Sequence, residues 1–253
     1  MIFLDNMKIN MNEKKNIPVV LFVGGTGSRI REETASKPKP MVEVGEAPLL
    51  WHVMKIYKHY GFNKFILTLG YKGEYIRNFL AKDKRGLFSE FEIILAETGE
   101  NTKTGGRLLK AAKYIKNDIF LCTYGDGVSD INLDRLLKHH YGLKNVIGTI
   151  TGVNVPHKFG IISHTKKGIL KNYKKGHLMK EPINAGFMVL NKSYLKYLKK
   201  DCEVEEPFNK LAETGKMGVY FHKGNFGAID TYKDLEDLNK IWVSKPFWKV
   251  WKD

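Results

Sequence analysis

The chain has 253 residues, 42 Lys plus Arg against 27 Asp plus Glu for a formal net charge of +15, and 43% hydrophobic residues. This reads as a folded, soluble chain, long enough to build a sizeable core without disulfides. Its longest purely apolar run, residues 19–23, is far below the roughly 18 residues that span a bilayer, which excludes a transmembrane helix.

Residues 1–16 are mostly polar, and Lys14 and Lys15 follow the apolar positions instead of preceding them, so a loose N-terminal extension is expected and not a secretory signal. Residues 17–253 are expected to form a single domain in two halves, 17–152 and 153–253. A short apolar strand covers 18–23. The spacing of Leu50, Val53, Met54 and Tyr57 predicts a helix over 49–60 that stops at Gly61. A strand over 65–69, a helix over 74–81 and a strand over 91–95 follow. Leu108, Leu109, Ala112 and Ile115 share one face of a helix over 107–115, which leads into a strand over 119–124. A helix over 132–141 and a strand over 146–151 extend the series.

Such alternation implies right-handed crossovers in an α/β, Rossmann-like, doubly wound and mostly parallel sheet, whose ligands bind beyond the carboxyl ends of the strands. After about residue 155 short strand candidates over 159–163, 168–173 and 186–190 read as an antiparallel extension. Helices over 193–198 and 206–214, a strand over 218–222 and a helix over 232–243 complete the chain.

The positive charge is spread along the whole chain, with only short pairs such as Lys174 and Lys175 or Lys199 and Lys200. Without clusters or interleaved aromatics, no nucleic-acid partner is expected. Small polyanions such as nucleoside triphosphates fit better. Cys122 lies in an apolar run and Cys202 in a charged turn 80 residues later, a pattern that suits a reducing cytoplasm.

The first strand runs directly into Gly24, Gly25, Thr26, Gly27, Ser28 and Arg29. Glycines there allow a sharp turn with N–H groups aimed at an anion. Ile30 stands where a dinucleotide fingerprint has its third glycine, and no Gly-Lys-Ser/Thr ending makes it a P-loop. Alone, the segment is equally a plain strand-to-loop turn. Ten residues after Arg29, Lys39 sits between Pro38 and Pro40, which should hold it on a stiff, extended strut. A positioned lysine with Arg29 would clamp phosphates and stabilise charge growing in a transition state. Asp126 follows the strand over 119–124 between two glycines, a setting where a lone Asp is usually a turn residue.

Gly24 to Arg29 followed by Lys39-Pro40-Met41 resembles the signature of the sugar-1-phosphate nucleotidyltransferases. The segments Glu32-Glu33-Thr34, residues 37–44, Trp51-His52 and Gly70-Tyr71-Lys72-Gly73 resemble the glucose-1-phosphate cytidylyltransferase branch. So do Thr104-Gly105-Gly106-Arg107, residues 124–128, Asn184-Ala185-Gly186-Phe187 and Asp230-Thr231. The resemblance implies that the backbone of Gly24 to Ser28 holds the nucleotide, Arg29 its β- and γ-phosphates, and Lys39 the phosphates during transfer. It places Thr104, Gly105 and Gly106 at a helix N-terminus close to the base and ribose. It makes Asp126 and Asp230 metal ligands, and two carboxylates completed by triphosphate oxygens suit Mg²⁺. Asp126 thereby also meets the bound nucleotide.

The family's acceptor-side strand carries Phe-x-Glu-Lys-Pro, whereas this chain has Tyr173, Lys174, Lys175 and Gly176; its Trp-x-Pro lead to the second metal aspartate is replaced by Phe226-Gly227-Ala228. The stretch between Gly70 and Thr98 is also shorter. Nucleotide-side motifs are kept and acceptor-side motifs altered. The resemblance thus implies CTP as donor and a phosphorylated acceptor other than glucose 1-phosphate, such as phosphoglutamine on the way to capsule phosphoramidate, with Lys174, Lys175 and Asn184 as acceptor contacts. A glucose-1-phosphate cytidylyltransferase, or a basic binding protein without turnover, stays open as an alternative. His52 is expected to be a packed histidine, and His157, His164, His177 and His222 have no metal-site spacing. Trp242, Phe247, Trp248 and Trp251 are expected to serve packing or a homo-oligomer contact.

Overall fold

The structure is a computed structural model that describes residues 11–25, 34 and 36–252. A central seven-stranded sheet runs in the order Met217–His222, Gly148–Val153, Ile183–Asn191, Ile119–Tyr124, Pro18–Phe22, Lys64–Leu69, Glu92–Glu97. Its middle is parallel: β1 (Pro18–Phe22) lies between β4 (Lys64–Leu69) and β6 (Ile119–Tyr124), and β5 (Glu92–Glu97) flanks β4. All five residues of β1 are buried, because helices cover both faces of the sheet. Val19, Leu21 and Val23 enter one core cluster, with Leu50, Val53, Phe65 and Phe187; Val20 and Phe22 enter the other, with Ile66, Leu108, Phe120 and Met188. That period of two divides the interior into two layers about a single sheet.

The helices largely follow the sequence pattern. α1 (Met11–Asn16) precedes β1; a short hairpin of β2 (Glu43–Val44) and β3 (Ala47–Pro48) leads into α2 (Leu49–His59); α3 (Gly73–Ala81) joins β4 to β5; α4 (Thr104–Ala111) joins β5 to β6. β6 is followed by a short strand β7 (Gly127–Ser129) and then α5 (Leu133–Gly142), after which β8 (Gly148–Val153) enters the sheet. Part of the expected loose extension is thus helical. Lys14 on α1 is buried, and its Nζ lies 2.5 Å from Asp134 Oδ1 on α5.

The second half departs from a purely antiparallel extension. β11 (Ile183–Asn191) inserts antiparallel between β6 and β8, but β12 (Met217–His222) returns parallel to β8 at the sheet edge. Helix α6 (Phe208–Glu213) makes that return, its start set by Pro207. The helix expected over 193–198 is a 3-10 turn, Lys192–Tyr197. Between β8 and β11 a hairpin of β9 (Ile161–His164) and β10 (Leu170–Lys174) forms its own two-stranded sheet, and every residue of both strands is exposed. A second two-stranded clip pairs β7 with β13 (Phe226–Ala228), and the long helix α7 (Tyr232–Ser244) follows.

The C-terminal aromatics close around one histidine. His52 is fully buried with Trp51, Trp242, Trp248 and Trp251 packed about its ring. Its Nε2 donates to the Val44 carbonyl at 2.8 Å and its Nδ1 accepts from Trp248 Nε1 at 3.3 Å, so one neutral tautomer satisfies both contacts. Burial holds its pKa down at about 4 despite the hydrogen bonds to backbone carbonyls.

Candidate functional site

The strand order brings the carboxyl ends of β1, β4, β5 and β6 to one edge of the sheet, and the loops leaving them carry most of the residues singled out above. Gly24 and Gly25 leave β1, Gly70 leaves β4, Thr98 and Gly99 leave β5, and Asp126 leaves β6. Thr26, Gly27, Ser28 and Arg29 lie outside the described residues. The two prolines do not draw Lys39 into an extended strut. Pro38 is extended, but Lys39–Met41 closes as a 3-10 turn whose first residues tolerate Pro40 because their N–H groups have no intrahelical partner. The Met41 N–H donates to the Pro38 carbonyl at 2.8 Å and seals that turn.

Lys39 reaches two carboxylates at once. Its Nζ lies 2.7 Å from Asp126 Oδ2 and 3.1 Å from Asp230 Oδ1. Burial pulls the ammonium's pKa down, the two carboxylates push it up more, and the net shift is upward. The lysine is therefore a fixed cation. Asp230, about a hundred residues after Asp126, arrives by the clip: Ala228 pairs with Gly127, and the Ile229 N–H donates to the Asp126 carbonyl at 3.1 Å. A capping box then holds the start of α7, with Thr231 N and Asp230 N both donating to Asp234 Oδ2 at 2.7 and 3.0 Å.

The segment 104–106 packs on one side against the chain itself. α4 does begin at Thr104, but Thr104 Oγ1 donates to Glu203 Oε2 at 2.6 Å and the Gly105 N–H donates to the Cys202 carbonyl at 2.9 Å. A Cβ on Gly105 would lie 2.5 Å from Cys202 Sγ, and one on Gly106 would lie 2.2 Å from the Lys200 carbonyl oxygen. These glycines admit the chain's own 200–203 segment, so at those Cα positions the close approach is internal. The same packing buries Cys202, which the sequence placed in a charged turn; both cysteines are buried and free.

Arg107, which ends the Thr104-Gly105-Gly106-Arg107 segment and to which the sequence assigns no role, is central to the site's frame. Its buried guanidinium donates to Gly24 O at 2.9 Å, Leu69 O at 3.2 Å, Thr98 Oγ1 at 2.6 Å, Gly99 O at 3.0 Å and Glu100 O at 2.9 Å. One side chain therefore ties together the loops leaving β1, β4 and β5. A Cβ on Gly24 or Gly70 would lie 2.3 or 2.2 Å from Arg107 Nη1, so both glycines are required for the guanidinium to fit between them. The available signal was an arginine on the apolar face of a helix beside Leu108 and Ala111.

The acceptor-side candidates are more dispersed. Lys174 ends the exposed strand β10 and Lys175 follows it, also exposed. Neither makes a contact with Lys39, Asp126 or Asp230 among the described residues. Asn184 Oδ1 accepts from the Gly186 N–H at 2.9 Å, where β11 is irregular against β8. The root of the hairpin does approach the site, since Lys158 Nζ lies 4.0 Å from Asp234 Oδ2 at the head of α7. Tyr124, two residues before Asp126, donates its hydroxyl to the Glu205 carboxylate.

The sheet thus gathers the Gly24–Gly25 turn, Lys39 and two carboxylates at its carboxyl edge, where open α/β proteins bind their ligands. Residues 18–253 match the nucleotidyl transferase family model, and the chain belongs to that family. It is 40% identical to a probable glucose-1-phosphate cytidylyltransferase of Bacillus subtilis over 253 residues, covering 92% of this chain and 99% of the relative. It is 35% identical to the glucose-1-phosphate cytidylyltransferase of Salmonella typhimurium, again over 92% of this chain and 99% of the relative. Among solved structures, HddC from Yersinia pseudotuberculosis, crystallised with GMP-PN, superposes with a TM-score of 0.69 at 26% identity, covering 89% of this chain and 99% of that one. A UDP-glucose pyrophosphorylase complexed with UDP-glucose shares the fold at 14% identity and the same TM-score.

Proposed function

We propose that the protein transfers CMP from CTP to a phosphorylated small-molecule acceptor and releases pyrophosphate, as a Mg²⁺-dependent cytidylyltransferase. The observation that carries this reading is Lys39 set between Asp126 and Asp230 at the carboxyl edge of the sheet. An acceptor phosphate oxygen attacks the α-phosphorus of CTP, a new P–O bond forms, and the bond to the bridging oxygen of pyrophosphate breaks. The acceptor supplies its own nucleophile, so the protein's task is positioning and charge stabilisation.

Asp126 and Asp230 would hold Mg²⁺. The donor set fits: two hard oxygens suit an ion that takes its remaining ligands from phosphate and water, and among the described residues no third acidic, His or Cys group completes a protein-only cage. The lysine ammonium already marks a place for positive charge between them. When bound, the ion would neutralise the reacting phosphates. The backbone of Gly24 to Ser28 would cradle the triphosphate, with Arg29 on its β- and γ-oxygens. Lys39 would follow the negative charge that grows toward the leaving pyrophosphate. Thr104, Gly105 and Gly106 would border the base and ribose, with their Cα side turned to the 200–203 segment.

We assign the acceptor to the side of the hairpin, with Lys174, Lys175 and Asn184 as its contacts and the cytoplasm as the compartment. Lys174 and Lys175 stand where the family carries an acid and a lysine, and Phe226-Gly227-Ala228 stands where it carries Trp-x-Pro, so glucose 1-phosphate loses polar partners. An acceptor with a phosphate and a carboxylate, such as phosphoglutamine giving CDP-glutamine, is favoured. The relatives' names favour the other reading, CDP-glucose synthesis. Pyrophosphate release from the four NTPs against glucose 1-phosphate and a set of non-sugar phosphates decides between them. A kcat/KM for glucose 1-phosphate at or above that of every other acceptor would return the chain to the sugar branch.

A further inference from the structure

We infer that the Lys39 ammonium is the resting occupant of the divalent-cation position, so that the cation reaches Asp126 and Asp230 only together with the nucleotide. This rests on the reading of those carboxylates as cation ligands. The bridge is a short one, 2.7 Å to one carboxylate and 3.1 Å to the other. The lysine side chain is 14% exposed, while the two carboxylates are 32% and 40% exposed. The ammonium is thus withdrawn from water and depends on the pair for much of its solvation, whereas the carboxylates are the more exposed partners of the bridge.

Competition follows from these facts. A dication arriving alone must evict a largely desolvated ammonium and gains only two carboxylate ligands in exchange, since no third acidic, His or Cys ligand stands by among the described residues. A triphosphate changes both sides of the balance. Its oxygens offer Lys39 a new anionic partner, which frees the carboxylate pair, and they complete the coordination of the cation. Lysine suits this exchange because its compact charge sits on a flexible four-carbon stem. The two ligands are then coupled: the nucleotide tightens the cation, and by reciprocity the cation tightens the nucleotide.

The test is a titration of the full-length protein with Mn²⁺, following free Mn²⁺ by electron paramagnetic resonance. Without nucleotide, Lys39→Met should bind Mn²⁺ at least tenfold more tightly than the wild type, because the competitor is gone and the carboxylates remain. Adding Asp126→Asn to that variant should abolish the gain. With the α,β-methylene analogue of CTP present, wild-type affinity for Mn²⁺ should rise at least tenfold, and that of Lys39→Met should rise much less. Circular dichroism and urea unfolding check the fold, and Lys39→Gln replaces the Met variant if the latter is not native. If folded Lys39→Met binds Mn²⁺ no more tightly than the wild type, the exchange is refuted. If Asp126→Asn in the wild-type background leaves nucleotide-dependent Mn²⁺ binding intact, the carboxylates are not the ligands, and the underlying reading fails with it.

Discussion

Replacing Arg107 by Met keeps an unbranched stem of similar reach in the slot between Gly24 and Gly70 and deletes every donor of the guanidinium. Five acceptors lose a charged partner: the carbonyls of Gly24, Leu69, Gly99 and Glu100 and the hydroxyl of Thr98. Hydrogen bonds to charged groups contribute roughly 1.5–3 kcal/mol each, but the five share one side chain and the loop carbonyls can turn partly to water, so they do not add. A total loss of about 3–5 kcal/mol in urea unfolding is expected, the range for breaking a buried charged network. Because the tied loops border the proposed nucleotide site, nucleotide affinity should fall as well, with KM for the nucleotide rising at least tenfold and kcat changing less. Arg107→Lys should rescue little, since a single ammonium cannot span three loops. A loss below about 1 kcal/mol together with an unchanged KM would refute the assignment of Arg107 as the tie between these loops.

Lys39→Ala should leave the fold intact and lower kcat/KM by roughly 10² or more, the scale of losing one preorganised charge from a transition state, and unchanged turnover would remove Lys39 from the mechanism. His52 makes stability depend on acid: its folded pKa of about 4 lies below the unfolded value near 6.5, so the unfolded chain takes up the proton that the native state refuses. That contribution is complete above pH 6.5 and is lost as pH falls toward 4, by about 3 kcal/mol. The urea-unfolding free energy of His52→Gln should lack this component, and parallel pH profiles for the two proteins would contradict it.

The parallel half of the fold was readable because its signals are local. Apolar runs such as residues 18–23 and 119–124 become strands buried on both faces, and Gly61 ends α2 with a φ of 89° that favours glycine. What the sequence hid depends on partners far along the chain. α4 starts three residues before the expected start at 107 because Glu203 and Cys202 satisfy its first turn. Arg107 shows in the sequence only as an arginine on the apolar face of a helix, and its partners, at three loop ends, are spread over residues 24–100. Lys39 and both aspartates were legible as candidates, but their bridge was not, because it requires the clip of β7 on β13. The hairpin lysines stand out by charge, yet nothing in their spacing says where the hairpin points.

The clip also carries a consequence for the timing of synthesis. Asp126 and Lys39 leave the ribosome early, while Asp230 follows Asp126 by about a hundred residues, which at typical elongation speeds is roughly 5–20 s. β11 and β13 must emerge before the sheet and the carboxylate pair can close. During that interval the nascent chain holds a lysine and one carboxylate but not the bridge between two, so the proposed cation site can close only after Asp230 has been added and brought back beside Asp126.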